Sequence, residues 1–158
     1  MEATIPSEPE SLLLSTKLIK EFEGCELRGY LCPAKVWTIG YGNTEYLKKF
    51  PNPAHITITK EEAETLLKGD IIKYYKSVIE ETKNLNLKPN QIASLTSLCF
   101  NIGINAFKES SLLKCIKRDK EALQEINHCF LMWIHAGGSF VRGLRERRQR
   151  EFDFYAGD

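Results

Sequence analysis

Three residues that could take part in acid–base chemistry lie close together near the start of the chain. The segment FEGCELRGYLCPAKVWTIGYGNT contains a lone acid, Glu23, followed by Cys32 and then by Thr38. A glutamic acid can act as a general acid, which gives its proton to a leaving group. Cys32 stands where a second carboxylate would complete an acid–base pair. Taken singly, Glu23 is typical of a solvated surface charge, and Thr38 of an ordinary strand residue.

A helix is predicted to carry Glu23. Apolar residues recur with helical spacing between residues 18 and 22. Ser15 or Thr16 can cap such a helix at its start, and Gly24 can end it, because glycine takes the left-handed conformation without steric cost. The sequence therefore predicts that Glu23 lies in the last turn of this helix.

A β-hairpin is predicted to carry Cys32 and Thr38. Leu27–Leu31 and Val36–Tyr41 have the composition of strands, and a Pro-Ala-Lys turn separates them. Side chains alternate between the two faces of a strand, so Thr38 points away from the aromatic side of the hairpin. A further short strand is predicted near His55–Thr59.

The chain after Thr59 is predicted to be helical. Thr59 and Glu62 form a capping box before a long amphipathic helix that runs to about Glu81 and could join two lobes. Pro89 opens the next helix, which ends near Phe100–Gly103. Later helices are predicted to begin at Ser110 or Ser111, at Asp119 (through Trp133), and after the HAGGS break at 135–139 (to about Tyr155).

This order predicts an α+β fold with a small β-hairpin lobe and a larger helical lobe joined by the long helix. The chain has 158 residues, enough for one domain with a real core. We predict a leader over residues 1–15 and a single two-lobed domain over 16–158. The β lobe covers about 27–59, and the helical lobe covers about 60–155 together with the N-terminal helix.

Composition argues against several classes of protein. The net charge of +1 gives no support for nucleic-acid binding, and no apolar run approaches the roughly 20 residues that span a bilayer. The N-terminus lacks the lysines of a secretory signal, so we expect a cytoplasmic protein. Five cysteines without a CxxC pair argue against a zinc site and a secreted disulfide framework. Cys99, Cys115 and Cys129 are expected to be small buried apolar residues.

Several motifs in a fixed order make the chain resemble the phage-type lysozymes and endolysins, the peptidoglycan muramidases of tailed phages and their prophage relatives. The resemblance covers roughly residues 16 to 155. The matching segments are IKEFEG (19–24), LRGY (27–30), VWTIGYGNT (36–44), FNIGINAF (100–107), SSLLK (110–114), Trp133 with AGG (136–138), and GLRERRQRE (143–151).

The resemblance implies a catalytic triad of Glu23, Cys32 and Thr38 and a lysozyme-like fold. The family cleaves the β-1,4 bond between N-acetylmuramic acid and N-acetylglucosamine. Glu23 would protonate the leaving oxygen, and Cys32 with Thr38 would position the attacking water. An inverting reaction of this kind leaves about 6.5–9.5 Å between acid and water-activating group. Such hydrolysis needs no cofactor and no metal.

The chain departs from the usual family pattern at two positions, with Cys32 in place of aspartate and Asn43 in place of histidine. A thiol is mostly neutral near pH 7, so Cys32 is a weaker base than a carboxylate unless its pKa is lowered. Lys35 could favour the thiolate. Asn43 is expected to have a structural role.

Three further residues match positions that the family directs toward the substrate. Asn101 either faces the cleft or caps its helix. Arg147 and Arg148 match a basic pair near the substrate channel, where one could approach Glu23 or the glycan. Alternatively, both lie on a solvated helix with partners such as Glu151 four residues on.

Other functions stay open at this point. Cys32 in place of an acid is also typical of a peptidoglycan-binding pseudoenzyme. Residues 142–150 could bind nucleic acid, although Glu146 dilutes this basic segment. A cysteine-nucleophile hydrolase would need a histidine base, and no histidine lies in a recognisable partner motif.

For the enzyme, the family resemblance implies a monomer that binds glycan strands without inserting into the membrane. It also implies accumulation in the host cytoplasm and release through a holin-made lesion. Both a hydrolysed and a 1,6-anhydro product are compatible with the sequence.

Overall fold

The computed structural model describes residues 8–157, and these form seven α-helices, two short 3-10 helices and two small antiparallel sheets. The order of one helix, a hairpin and then a run of helices confirms the predicted α+β class. In chain order the elements are α1 (Glu10–Lys20), β1 (Glu26–Leu31), β2 (Trp37–Gly40), the 3-10 helices Tyr46–Lys49 and Pro53–His55, α2 (Lys60–Thr82), α3 (Pro89–Ile102), α4 (Ile104–Glu109), α5 (Ser111–Arg118), α6 (Leu123–Phe130), β3 (His135–Ala136), β4 (Ser139–Phe140) and α7 (Arg142–Ala156).

Helix α1 begins earlier than predicted. Ser15 and Thr16 lie inside it and donate to carbonyls four residues earlier, at 2.7 and 3.0 Å, so neither caps the helix. The prediction failed because these hydroxyls can bond backward within a helix as well as cap one. Residues 10–15 therefore belong to α1 and not to the predicted leader. Residues 1–7 of that leader lie outside the described part of the chain.

The predicted hairpin is confirmed. Strands β1 and β2 pair antiparallel, with Tyr30 opposite Thr38. The Cys32 amide donates to the Val36 carbonyl at 3.0 Å and closes the turn, where Lys35 has a left-handed φ of 61°. The turn thus fixes the end of β1 against the start of β2, which is where the two candidate hairpin residues lie.

The predicted strand near His55–Thr59 does not form. This segment instead begins with a 3-10 helix and touches β1 through one bridge, between Arg28 and Thr57. Gly29 makes the close approach possible, because a Cβ there would lie 2.2 Å from the Pro53 carbonyl oxygen. The β lobe is therefore a two-stranded hairpin backed by an irregular loop.

The long interlobe helix α2 begins as predicted. The Thr59 hydroxyl accepts from the Glu62 amide, and the Glu62 carboxylate accepts from the Thr59 amide, both at 3.1 Å. Its buried residues include Ile71 and Val78, whereas Ile72 is 38% exposed. The helix is thus amphipathic, as predicted.

The helical lobe follows the predicted order with one wrong start. Pro89 begins α3, and the Ser110 hydroxyl accepts from the Leu113 amide at the start of α5. Asp119 does not begin α6, because its carboxylate accepts from the Glu121 amide in a turn and the helix starts only at Leu123. That helix ends at Phe130 rather than at Trp133, and the HAGGS segment forms the small β3–β4 hairpin.

Helix α3 is the centre about which the site is built, since it packs against α1, α2 and α7. The helical-lobe core includes Leu98, Phe107 and Phe130, and a second core joins α1, β2 and α2. Cys99 and Cys115 are buried as predicted, and the half-buried Cys129 packs against the same core.

Candidate active site

Glu23 lies in the turn that follows α1. The helix ends at Lys20, three residues earlier than the predicted last turn requires, but the Glu23 amide still donates to the Ile19 carbonyl at 3.2 Å. The Glu23 side chain is 28% exposed, and its Oε1 accepts from Arg147 Nη1 at 3.2 Å. The carboxyl group is thus held on one oxygen and still reaches solvent.

Arg147 is a buried cation that connects three elements. From α7 it donates to Glu151 Oε2 at 3.1 Å, and to the carbonyl and hydroxyl of Ser97 on α3 at 3.1 and 3.3 Å. Its guanidinium carbon lies 4.8 Å from the centre of the Phe22 ring. These contacts fix the direction from which Arg147 approaches Glu23.

Arg148 and Glu151 form a fully buried pair behind Arg147. Arg148 Nε lies 2.9 Å from Glu151 Oε1, and both side chains are fully buried. Burial raises the pKa of the Glu151 carboxyl, whereas the two arginines and the Ser97 hydroxyl act in the opposite direction. Burial also lowers the pKa of Arg148 to about 10, which leaves it charged at neutral pH. The alternative of a solvated helix is therefore wrong for Arg147 and Arg148.

Asn101 is the exposed member of this group. Its Oδ1 accepts from Arg148 Nη2 at 2.7 Å, and the residue lies in the last turn of α3 without capping it. Because a guanidinium only donates, this bond assigns Oδ1 to Arg148 and leaves the Asn101 amide hydrogens for a partner outside.

Cys32 and Thr38 lie together on the hairpin. Thr38 is buried and its hydroxyl donates to the Val36 carbonyl at 2.9 Å, while Cys32 is half-buried. Hydrogen bonds from the backbone of Val36, and then of Ala34, lower the pKa of the Cys32 thiol. Lys35 is not among the groups that produce this shift, so the predicted role of its charge receives no support.

Tyr30 lies on β1 directly opposite Thr38. Partial burial raises the pKa of its phenol, and the charges of Glu26, Cys32 and Glu23 raise it further. The sequence did not single out this side chain.

Asn43 has the structural role that was expected. Its Nδ2 donates to Asp70 Oδ2 on α2 at 2.9 Å, and its Oδ1 accepts from the Tyr46 amide at 2.9 Å. The loop after β2 is thereby tied to the interlobe helix.

Comparison with known proteins identifies the family of this chain. A family model described as phage lysozyme matches residues 20–151. The chain belongs to the phage lysozyme family. The match includes all six site residues predicted from the sequence.

Individual relatives agree with this family. The endolysin of Acyrthosiphon pisum secondary endosymbiont phage 1 is 38% identical over 138 residues, which cover 85% of this chain and 89% of that protein. The endolysin of Bacillus phage PZA is 34% identical over 136 residues, which cover 85% of this chain and 50% of that protein. The chain thus spans about half the length of this second relative.

The fold also agrees with a solved structure. The muramidase domain of SpmX from Asticcacaulis excentricus has a TM-score of 0.77 and 28% identity, covering 91% of this chain and 95% of that chain. This confirms the predicted lysozyme-like fold.

The basic segment of this phage lysozyme does not present a row of free cations. Arg147 and Arg148 are buried, Arg150 pairs with Glu21 at 3.2 Å, and Arg142 pairs with Glu146 at 3.1 Å. These four arginine side chains, which suggested nucleic-acid binding, are therefore buried or paired with nearby carboxylates. None of the groups that shift the Cys32 pKa is a histidine, so a Cys–His pair receives no support either.

Sequence reasoning missed Ser94 and Ser97 as well as Tyr30. Ser97 Oγ donates to Glu151 Oε2 at 2.5 Å, and Ser94 Oγ donates to the Glu151 carbonyl at 2.6 Å. The available signal was their spacing of three along α3, which places both hydroxyls on one face of the helix.

Over residues 8–157 the structure contains no cluster of three or more His, Cys, Asp or Glu side chains with the geometry to hold a metal ion. Within the same range, no helix is long and apolar enough to cross a bilayer.

Proposed function

We propose that this phage lysozyme hydrolyses the β-1,4 bond between N-acetylmuramic acid and N-acetylglucosamine in bacterial peptidoglycan. In this proposal Glu23, Cys32 and Thr38 form the Glu/Cys/Thr variant of the glycoside hydrolase family 24 triad. The observation that carries it is the Glu23 carboxyl group, which Arg147 holds through one oxygen at 3.2 Å while the group stays partly exposed to solvent.

Glu23 acts as the general acid. Its Oε1 accepts from Arg147, and among the described contacts Oε2 has no hydrogen-bond partner. Oε2 can therefore carry the proton that is transferred to the glycosidic oxygen as the bond between that oxygen and the muramic-acid anomeric carbon breaks. Arg147 holds the carboxyl group in place during this step.

Cys32 and Thr38 hold the attacking water on the opposite face of the sugar. The Thr38 hydroxyl donates its hydrogen to the Val36 carbonyl, so its oxygen accepts a hydrogen bond from water. The lowered pKa of Cys32 increases the thiolate fraction. As the water oxygen bonds to the anomeric carbon, the thiolate takes up one proton of that water, which corresponds to the inverting arrangement.

Asn101 binds the glycan directly, and the two arginines act through other residues. With Oδ1 occupied by Arg148, the Asn101 amide donates to a carbonyl or hydroxyl oxygen of the sugar. Arg148 is fully buried and orients Asn101, just as Arg147 orients Glu23.

The test is release of reducing ends from purified peptidoglycan, with mass spectrometry of the muropeptides. We expect the wild type to release hydrolysed, not 1,6-anhydro, products, and Glu23→Gln to lose at least about a hundredfold in kcat. If wild type and Glu23→Gln release reducing ends equally slowly, the chain is a binding pseudoenzyme instead.

The remaining aspects of the proposal concern the protein in its host. We propose a monomer that accumulates in the host cytoplasm and reaches peptidoglycan through a holin-made membrane lesion. Endolysin relatives support action on the cell wall. Lysis that depends on co-expression of a holin would support this route, and lysis without one would indicate export.

A further inference from the structure

A polar cavity lies where the two lobes meet. It has a volume of about 190 Å³ and is lined by the loop after β2, by α2 and by α3. The loop follows the strand that carries Thr38, and the α3 residue in the lining, Phe100, precedes Asn101. The lining thus includes sequence neighbours of two candidate site residues. Its lining residues are Gly42, Thr44, Glu45, Asp70, Lys73, Tyr74 and Phe100.

The cavity contains charges of both signs that are not paired with each other. Lys73 is exposed and takes part in none of the ion pairs within residues 8–157; its Nζ lies 5.0 Å from the centre of the Tyr74 ring. Asp70 has one oxygen, Oδ2, bound to Asn43, and its other oxygen has no protein donor among the described contacts. Glu45 also lines the cavity, but its Oε1 already accepts from Lys48 at 2.8 Å. Lys73 Nζ and Asp70 Oδ1 thus remain without a hydrogen-bond partner among the described contacts.

Neighbouring charges and aromatic side chains surround Asp70 and Lys73. Partial burial raises the pKa of Asp70, the Asn43 bond and the Lys73 charge lower it, and Glu45 raises it further. The pKa of Asp70 therefore depends on both neighbours, although its carboxylate lies more than 4 Å from the Lys73 ammonium. Tyr74 and Phe100 pack edge to face with ring centres 5.2 Å apart and form an apolar wall.

Size limits what the cavity can hold. Pockets that enclose a whole small molecule usually measure roughly 300–1,000 Å³. A cavity of about 190 Å³ suits a headgroup better than a disaccharide. A headgroup with an ammonium and a carboxylate on one carbon matches the free charges, since the ammonium meets Asp70 and the carboxylate meets Lys73.

We propose that this cavity binds the free α-amino acid end of a stem peptide, of the kind that a meso-diaminopimelate residue presents. This proposal rests on the proposed function, because stem peptides are attached to the glycan that the active site cleaves. It makes the enzyme selective for strands whose diamino acid carries both charges. A lysine residue at the same place would offer the ammonium alone.

The test compares cleavage of three preparations by the full chain: diaminopimelate-type peptidoglycan, the same material with its stems removed by an amidase, and lysine-type peptidoglycan. For Lys73→Ala we expect the kcat/KM ratio of intact over stripped strands to fall about fivefold, the upper range for one solvent-accessible ion pair. On lysine-type material the substitution should have no comparable effect, because the carboxylate partner is missing.

Lys76→Ala is the matched control, since Lys76 is exposed on the same helix but outside the cavity lining. It should keep the wild-type ratio, and circular dichroism should show that both variants are folded. A wild-type ratio in folded Lys73→Ala overturns the stem-peptide site and leaves the muramidase proposal intact. If the wild type cleaves neither intact nor stripped strands, the proposed function itself fails, and this inference fails with it.

Discussion

Replacing Arg147 by methionine should destabilise the protein far more than neutralising Glu23 does. The Arg147 side chain is 6% exposed and donates to Glu151, to Glu23 and twice to Ser97. Methionine fills a similar volume but has no donor. Glu151 then keeps only Ser97 and Arg148 as partners.

The expected magnitude follows from burial. Removing one partner of a buried ion pair costs about 3–5 kcal/mol in the free energy of unfolding. Because Ser97 and Arg148 still contact Glu151, we expect the lower limit, about 3 kcal/mol. For a domain of this size that corresponds to a decrease in Tm of roughly 6–12 °C.

Glu23→Gln should behave differently. The carboxyl group is partly exposed, and glutamine keeps an acceptor for Arg147 Nη1. We expect a cost below about 1 kcal/mol, and a coupling energy of similar size between positions 23 and 147 in a double-mutant cycle. Glu23 would then determine activity, and Arg147 would determine stability as well as the position of Glu23.

The assay is urea unfolding followed by circular dichroism for the wild type, both single variants and the double variant. Arg145→Met is the matched control, since Arg145 is exposed two residues earlier on α7. Unchanged slopes against urea concentration would show that the midpoints report stability. The reasoning is refuted if Arg147→Met costs less than about 1 kcal/mol, or if Glu23→Gln costs as much.

Further predictions concern single substitutions at four positions. Cys32→Asp should retain kcat/KM or raise it by up to about tenfold, because a carboxylate is fully ionised at pH 7, whereas a nucleophilic thiol would predict inactivity in the same reducing-end assay. Gly69→Ala, with open space around its Cβ, should stabilise α2 by about 0.5–1 kcal/mol, whereas Gly29→Ala should lower Tm through its contact with Pro53. Asp70→Asn tests the pH dependence of stability. Burial raises the folded-state pKa of Asp70, so the wild type loses stability as pH rises above about 4. Urea unfolding at different pH values should show a smaller loss in the variant.

Local patterns were sufficient to predict much of the fold. The hairpin, the capping box of α2 and the proline start of α3 each depend on residues within a few positions of one another. Such signals depend on short segments alone, so they can be recognised without knowledge of the tertiary structure. The start of α1 was missed for the same reason, because Ser15 and Thr16 have two local uses and only packing decides between them.

The interior of the site could not be predicted in this way. Glu151 and Arg148 are charged residues on a basic segment, and charged side chains are almost never fully buried without partners. Their partners, Ser97 and Asn101, are 54 and 47 positions away. Spacing along the sequence cannot show that α7 packs against α3. A solvent-exposed helix was therefore the simpler alternative for this segment.

The contact between Glu23 and Arg147 has a consequence for the order of synthesis, since it joins positions 124 apart in the chain. At about 5–20 residues per second, translation needs roughly 6–25 s to proceed from the acid to its arginine. The residues of the hairpin are synthesised early in that interval, whereas the acid lacks the side chain that orients it until α7 is made. In a chain that ends before α7, Glu23 should therefore be no better ordered than in a short peptide. The capacity to cleave the cell wall should appear only once α7 has been synthesised.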